Sequence, residues 1–266
     1  MALTILIFGF SVLAINLLIN LLIKKATKKK NLDNLTSIVT FFLFFVGTLG
    51  MSLYYQNWNL FFYFVTFSTI ALWFEYALGW LYFIIFDARI YRYYDNSLLG
   101  FSSPRMLPYW GGAALFFYAM FNLLQVDLAP FDVVKILVTY ATAATFGLAA
   151  WIFIISISNL IRMKLVRKDH FSWTKFSVFS SFFIGGLLGF LVTYWSANLF
   201  MFIFGVLIVS IFLEGLLGRY VKQIHKERFW IYYRTSLFKG NTSLIIIPMW
   251  SGALILAITL MSIFLK

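Results

Sequence analysis

Residues 60 to 86 read LFFYFVTFSTIALWFEYALGWLYFIIF and contain a single charged side chain, Glu75. A helix needs about 20 apolar residues to cross roughly 30 Å of hydrocarbon, so this segment is long enough to span a membrane with some tilt. A second run, LFMFIFGVLIVSIFLEGLL at residues 199 to 217, carries Glu214 in the same way. Because a carboxyl group inside hydrocarbon is energetically costly, both glutamates are functional candidates.

The composition of the whole chain agrees with these segments. Of its 266 residues, 62% are hydrophobic and only 11% are charged, which is too few charged groups for a water-facing surface. We therefore predict an all-α, polytopic membrane protein with eight transmembrane helices. The predicted spans are residues 3–23, 35–55, 60–86, 109–126, 133–160, 177–195, 199–217 and 245–264.

The loops between these spans alternate in charge. All of the 21 Lys and Arg residues except Lys135 and Lys266 fall in the first, third, fifth and seventh loops. The positive-inside rule places those loops in the cytoplasm and both termini outside, most simply in a plasma (inner) membrane. The net charge of +12 is thus a topology signal rather than a basic face for nucleic acid, which we exclude as a partner.

Several chemistries are excluded by the residue inventory. The chain has no cysteine and two histidines, so disulfides, thiolate metal sites and cysteine nucleophiles are ruled out. Asp87 and Asp95 suggest a magnesium-diphosphate site only weakly, because they are eight residues apart and interleaved with arginines. We predict no metal and no cofactor, and we find no phosphate-loop, Ser-His-Asp or metalloprotease motif.

The chain matches itself when it is shifted by 139 residues, and by 140 after one inserted residue. This pattern predicts two parallel four-helix repeats, residues 1–132 and 133–266, related by a pseudo-twofold axis along the membrane normal. The matched pairs include Glu75 and Glu214, Gly79 and Gly218, Tyr93 and Tyr232, Tyr94 and Tyr233, Pro108 and Pro248, and Trp110 and Trp250.

The repeated residues supply the candidate site. Glu75 and Glu214 are the candidate catalytic residues, although a carboxyl that only fixes contacts between the halves would show the same pattern. Glycines one turn after each glutamate would let another helix or a ligand approach. The polar aromatic segment before each proline is long enough to fold back and bring tyrosine hydroxyls near the glutamates, or else to anchor at the headgroups. The candidate substrate-binding residues are Asn20, Asn159, Tyr93, Tyr94, Tyr232, Tyr233, Trp110 and Trp250.

One string of motifs resembles a known group of proteins. The string consists of Glu75, Tyr91-Arg92-Tyr93, Leu99-Gly100 and Leu107-Pro108 at the start of the next span. It resembles the small lycopene cyclases and the related carotenoid hydratases, which are also duplicated helical membrane proteins. The resemblance implies acid catalysis on a polyene end group, although Tyr109 and Trp110 stand where the cyclases carry an acidic pair. A similar string looks like those of uncharacterised bacterial multi-pass families.

Three functions fit the sequence. An enzyme would use the glutamates to protonate a lipid-soluble, isoprenoid-like substrate, with aromatic faces stabilising the resulting cation. A secondary transporter would use them as coupling sites at the repeat interface, and a noncatalytic scaffold would use them to hold the halves together. The expected partners are the lipid bilayer and a lipid-soluble small molecule. Whether the chain is an enzyme, and its oligomeric state, are left open by the sequence.

Overall fold

The computed structural model describes residues 1–27, 33–94, 98–162, 171–225, 230–232, 236–244 and 246–266. A helix lies at each of the eight predicted segments, and the all-α class is confirmed. The helices are α1 (Ala2–Thr27), α2 (Asp33–Tyr54), α3 (Trp58–Phe86), α4 (Leu107–Leu123), α5 (Val133–Arg162), α6 (Phe171–Thr193), α7 (Ala197–His225) and α8 (Ile246–Phe264). The strands are β1 (Tyr91–Tyr93), β2 (Trp230–Tyr232), β3 (Ser236–Leu237) and β4 (Thr242–Ser243).

Within the described residues, four helical segments are long and apolar enough to cross a membrane. They belong to α3, α5, α7 and α8, and α1, α2 and α6 contribute shorter apolar stretches. Several long apolar helices of this kind are typical of a membrane-embedded protein. The predicted count of eight spans goes beyond this finding and stays a prediction.

The helix starts follow local sequence signals. Asn57 caps α3 by accepting a hydrogen bond from the Leu60 amide, and Ser196 accepts one from the Leu199 amide at the start of α7. Pro108 lies in the first turn of α4, where its missing N–H is not needed. Pro248 is the third residue of α8, so the prediction that both prolines begin the last helix of a half is confirmed.

Two helices occupy the middle of the bundle. The α4 helix packs against α1, α2, α3, α7 and α8, and the α8 helix packs against α3, α5, α6 and α7. The contacts between α3 and α8 and between α4 and α7 join the first half of the chain to the second. The described core is rich in aromatic rings, including Phe67, Phe117, Phe190 and Phe202, each of which is at most 1% exposed.

The α5 and α6 helices touch through small residues. A Cβ atom added to Gly147 would lie 2.8 Å from the Gly185 Cα atom, so the two backbones are in direct contact. Ala143 and Gly189 continue the contact one turn away. Small residues spaced four apart are a common helix-packing solution in membranes, because apolar burial gives little drive between helices there.

The sequence prediction missed a short β-ribbon. Strands β1 and β2 pair antiparallel and place Tyr91 opposite Tyr232 and Tyr93 opposite Trp230. Their side chains alternate, so these four aromatic residues are buried whereas Arg92 points outward and is exposed. The ribbon joins the two halves of the chain, and it lies next to both glutamates.

Candidate functional site

Glu75 lies in the middle of α3 and is held by side-chain donors from the chain that follows it. The Tyr93 hydroxyl donates to Glu75 Oε1, and the Ser102 hydroxyl donates to Oε2 at 2.8 Å. The Trp110 indole N–H points at the same Oε2 over 3.4 Å. Only 7% of Glu75 is exposed. Its two oxygens thus accept three hydrogen bonds, which fixes the orientation of the carboxyl group.

Glu214 lies at the corresponding position of α7 and is held in a similar way by fewer donors. The Tyr232 hydroxyl donates to Oε1 at 2.6 Å, and the Thr242 hydroxyl donates to Oε2 at 2.7 Å. The Glu214 side chain is partly exposed, unlike that of Glu75. One oxygen of each carboxyl group is bound by tyrosine and the other by an aliphatic hydroxyl.

The glycine four residues after each glutamate leaves room for the segment that folds back after the helix. A Cβ atom added to Gly79 would lie 3.0 Å from the Tyr91 hydroxyl, and one added to Gly218 would lie 2.6 Å from the Asn241 Cβ atom. The Tyr91 hydroxyl donates to the Glu75 backbone carbonyl at 2.9 Å. What approaches these glycines is therefore the returning polar segment, rather than a helix or a ligand.

The tyrosines of the ribbon keep their protons at neutral pH. Burial raises the pKa of Tyr91, Tyr93 and Tyr232 well above the usual tyrosine value, and the nearby glutamates raise these pKa values further. A protonated hydroxyl remains a donor, so the hydrogen bonds to the glutamates persist across the physiological pH range.

Both glutamates line one cavity of about 200 Å3, which we call the first cavity. Its walls come mainly from α1, α2, α4, α7, β2 and α8, and most of its lining side chains are apolar or aromatic. Phe10 of α1 and Leu213 of α7 line it and are 59% and 37% exposed, respectively. The first cavity is therefore lined in part by residues that are exposed on the surface of the bundle.

Two indole rings lie beside the glutamates in this cavity. The ring centroids of Trp110 and Trp250 are 5.3 Å apart with an interplanar angle of 46°. Trp250 also packs edge to face against Phe117, at 6.0 Å. Stacked and tilted rings of this kind present electron-rich faces, which attract positive charge.

A second cavity of about 610 Å3 lies among α3, α5, α6 and α8. These are the helices that the 139- and 140-residue shifts match with α7, α1, α2 and α4. Phe183 and Gly252 line the second cavity, whereas their matched residues Phe44 and Gly112 line the first. Neither glutamate is among the described residues that line the second cavity, and of those residues only Tyr140 and Thr259 have polar side-chain atoms. The two cavities are thus alike in their walls but not in their chemistry.

The structure brings together most of the predicted site residues that it describes. Tyr93, Tyr232 and Trp110 contact the glutamates, and Trp250 lines the first cavity beside them. Tyr94 is 54% exposed and does not line that cavity. The predictions for Tyr233 and for the side chains of Asn20 and Asn159 lie outside the described residues.

Sequence reasoning missed two hydroxyl groups of the site, those of Ser102 and Thr242. The 140-residue shift matches these two residues, and each donates to its glutamate. A search for positions that keep a hydroxyl in both halves would have found them. Tyr91 belongs to the Tyr-Arg-Tyr motif, but its hydrogen bond to the backbone of α3 has no signal in the sequence.

The described residues offer no group of three or more His, Cys, Asp or Glu side chains that would hold a metal ion. Both glutamates line the first cavity. No protein family, curated protein or solved structure matches the chain.

Proposed function

We propose that the chain is an eight-span membrane protein built from two parallel four-helix repeats, residues 1–132 and 133–266, with its basic loops in the cytoplasm. Matched hydrogen bonds support the repeats, since Tyr93 and Ser102 hold Glu75 as Tyr232 and Thr242 hold Glu214. The register of β1 and β2 also supports them, because a shift of 139 exchanges the two strands and leaves their pairing unchanged. A twofold axis through the ribbon has this property.

In this membrane protein, the first cavity binds the end of a lipid-soluble, isoprenoid-like molecule and Glu214 transfers a proton to it. The observation that carries this proposal is one cavity that contains both carboxyl groups and is lined by Phe10 and Leu213, which are exposed on the surface of the bundle. The cavity has a volume of about 200 Å3. It holds the end of a substrate, while the rest of the molecule stays in the bilayer.

Glu214 is the better proton donor of the two glutamates. It is partly exposed and has two side-chain donors, whereas Glu75 is buried under three. In the proposed step the Glu214 O–H bond breaks and a C–H bond forms at one carbon of a substrate double bond. The neighbouring carbon becomes a cation, which the faces of Trp110 and Trp250 stabilise. Loss of a proton from an adjacent carbon back to the carboxylate completes an isomerisation. In a cyclisation, a second double bond of the substrate first attacks the cation and forms a C–C bond, and the proton is then lost from a carbon next to the new cation.

Glu75 serves as a positioning residue in this scheme. Its carboxyl group connects the ribbon, through Tyr93, to Ser102 and Trp110, and Trp110 is one of the three tryptophans that line the first cavity with Glu214. A buried carboxyl with its acceptor sites occupied orders its neighbours rather than exchanging protons with a substrate.

Transport and scaffolding fit the cavity less well. A solute path through a membrane protein needs polar groups along its length. Apart from its two carboxyl groups, the polar groups of the first cavity are mainly the Ser210 hydroxyl, the polar groups of the ribbon and the indole N–H groups. A pure scaffold accounts for the hydrogen bonds of the two carboxyl groups, but it gives no reason for a cavity that contains both of them.

The test is mass spectrometry of organic extracts from protein purified out of its own membranes. We expect an isoprenoid-like molecule enriched in the native protein, and its unreacted precursor enriched in the Glu214→Gln variant. The Thr259→Val variant, in the second cavity, is the matched control and should give the native profile. Bulk membrane lipid alone in all samples contradicts the enzyme proposal, and ion-dependent solute uptake into vesicles would replace it with transport.

A further inference from the structure

The first cavity contains two acidic side chains, and none of the described residues that line it is Lys, Arg or His. The donors to the two carboxyl groups are hydroxyl and indole groups, which carry no charge. A carboxylate in a low-dielectric site is stabilised by a positive partner, and none of the described lining residues supplies one.

Two basic side chains of the described loop after α3 are engaged away from the cavity. The Arg89 guanidinium lies 4.6 Å from the centre of the Phe101 ring, and it donates a hydrogen bond to the Leu99 carbonyl. Arg92 is exposed on the outer side of the ribbon and lies over the Tyr94 ring. Neither arginine lines the first cavity.

The walls of the cavity also favour a cation. Trp110 and Trp250 lie side by side, and Trp230 and Tyr232 complete an aromatic surface next to Glu214. Aromatic faces together with a carboxylate form the usual recognition site for organic ammonium groups. A phosphate or carboxylate head would meet no positively charged group among the described lining residues, and each glutamate that is ionised would repel it.

We propose that the first cavity selects amphiphiles whose inner end is positively charged, and that a stable amphiphilic ammonium binds there in preference to neutral or anionic molecules with the same chain. The proposal rests on the proposed function for the place of the substrate, and it names the class of end group. The cavity volume of about 200 Å3 suits a compact head. The hydrocarbon tail leaves through the opening between Phe10 and Leu213.

The same selectivity fits the proposed chemistry. A substrate that is neutral in the membrane and becomes a cation on protonation would be bound most tightly at its cationic stage, as catalysis requires. Molecules that carry a diphosphate at the reacting end are excluded as substrates. An ammonium analogue imitates the cation without reacting, so its binding can be measured without any assay of turnover.

The experiment compares three probes with one chain length: dodecyltrimethylammonium, dodecanol and dodecyl phosphate. Each is used in radiolabelled form, below its aggregation concentration, with the full chain in phosphatidylcholine nanodiscs, and empty nanodiscs give the background. We expect the ammonium to bind about tenfold more tightly than the alcohol, which corresponds to ~1.4 kcal/mol. The phosphate should show no binding above background.

Three variants test which side chains cause the preference for the ammonium probe. Glu214→Gln should bring the affinity for the ammonium down to that for the alcohol, with the alcohol unchanged, and Thr259→Val in the second cavity should leave all three values unchanged. Leu213→Lys, at the exposed opening, adds a positive charge and should reverse the order of ammonium and phosphate. The Leu213→Lys variant tests the proposal even when Glu214→Gln does not fold.

The outcomes separate this inference from the enzyme proposal. Equal binding of the ammonium and the alcohol, or an ammonium preference that persists in Glu214→Gln, overturns the cation selectivity. A Glu214-dependent product in organic extracts would then leave the enzyme proposal standing. Conversely, a clear ammonium preference without any such product keeps the binding site and removes the reaction.

Discussion

The two glutamates occupy matched positions, but the structure treats them differently. Glu75 is 7% exposed and accepts hydrogen bonds from three side chains, whereas Glu214 is partly exposed and accepts them from two. Both line the first cavity, and neither lines the second. Two similar sequences have thus produced one buried glutamate with three side-chain donors and one partly exposed glutamate with two.

The difference comes from the indoles. Trp110 directs its N–H at Glu75 Oε2, whereas the matched Trp250 packs against Trp110 and Phe117 in the described contacts. Glu75 thus has an indole donor, and the described hydrogen bonds of Glu214 include none. Substitutions at matched positions measure how far this difference separates the two sites.

The largest expected effect is the loss of the carboxyl groups themselves. Glu75→Leu leaves three buried donors unpartnered and Glu214→Leu leaves two, at ~1 to 3 kcal/mol each. We expect the free energy of unfolding to fall by about 4 kcal/mol and about 2 kcal/mol, respectively. Denaturant unfolding in detergent micelles, followed by circular dichroism, measures both values.

Glu75→Gln is the control for this comparison. Glutamine keeps one acceptor oxygen, so it should recover about half of the stability that Glu75→Leu loses. Equal losses for the two leucine variants would show that the sites are energetically equivalent, and the comparison would fail.

Alanine substitution of the glycines should destabilise the Glu214 site more than the Glu75 site, which is the reverse of the order expected for the glutamates. A Cβ atom at Gly218 would lie 2.6 Å from the Asn241 Cβ atom, which has no freedom to swing away, whereas at Gly79 the nearest atom is the Tyr91 hydroxyl at 3.0 Å. Gly218→Ala should therefore cost about 2 kcal/mol of unfolding free energy. Gly79→Ala should cost about 0.5 kcal/mol, because the higher helix propensity of alanine offsets part of the crowding. The same denaturant unfolding assay measures both losses of stability. A larger loss for Gly79→Ala than for Gly218→Ala would contradict the packing described.

The pH dependence should be the same at both sites. The pKa values of Tyr93 and Tyr232 are raised above the usual value of 10.0, so above pH 10 the unfolded chain releases protons that the folded chain retains. Stability is therefore fully present below pH 10 and falls as the pH rises further, by ~1.4 kcal/mol per pH unit for each tyrosine. Tyr93→Phe and Tyr232→Phe should each reduce this slope by the contribution of one tyrosine, ~1.4 kcal/mol per pH unit. Unfolding measured between pH 8 and pH 11 tests it, and an unchanged slope in either variant counts against burial of that hydroxyl.

The smallest expected effect separates the two indoles. Trp110→Phe removes a 3.4 Å hydrogen bond to Glu75 as well as ring area, whereas Trp250→Phe removes ring area alone. We expect Trp110→Phe to be less stable than Trp250→Phe by about 0.5 kcal/mol, since a long hydrogen bond contributes little. If Trp250→Phe is the less stable variant, then ring packing rather than the hydrogen bond distinguishes the indoles.

Much of the fold was predictable because hydrophobic length is a local property. Runs such as residues 60–86 and 199–217 have no alternative to a helix in hydrocarbon, and Pro108 and Pro248 mark helix starts by backbone chemistry. The short ribbon was not predictable. Strands of three residues have little signal of their own, and β1 pairs with a segment about 140 residues away.

The sequence by itself determined the all-α class, the two costly glutamates and the matched tyrosines, because burial of charge and helix length depend on residue type and spacing alone. Only the tertiary structure decided that Ser102 and Thr242 bind the two carboxyl groups and that both groups share one cavity. It also decided that Glu214 is the more accessible of the two. Accessibility depends on which groups the returning chain presses against each glutamate, and that is set by packing between distant segments rather than by local sequence.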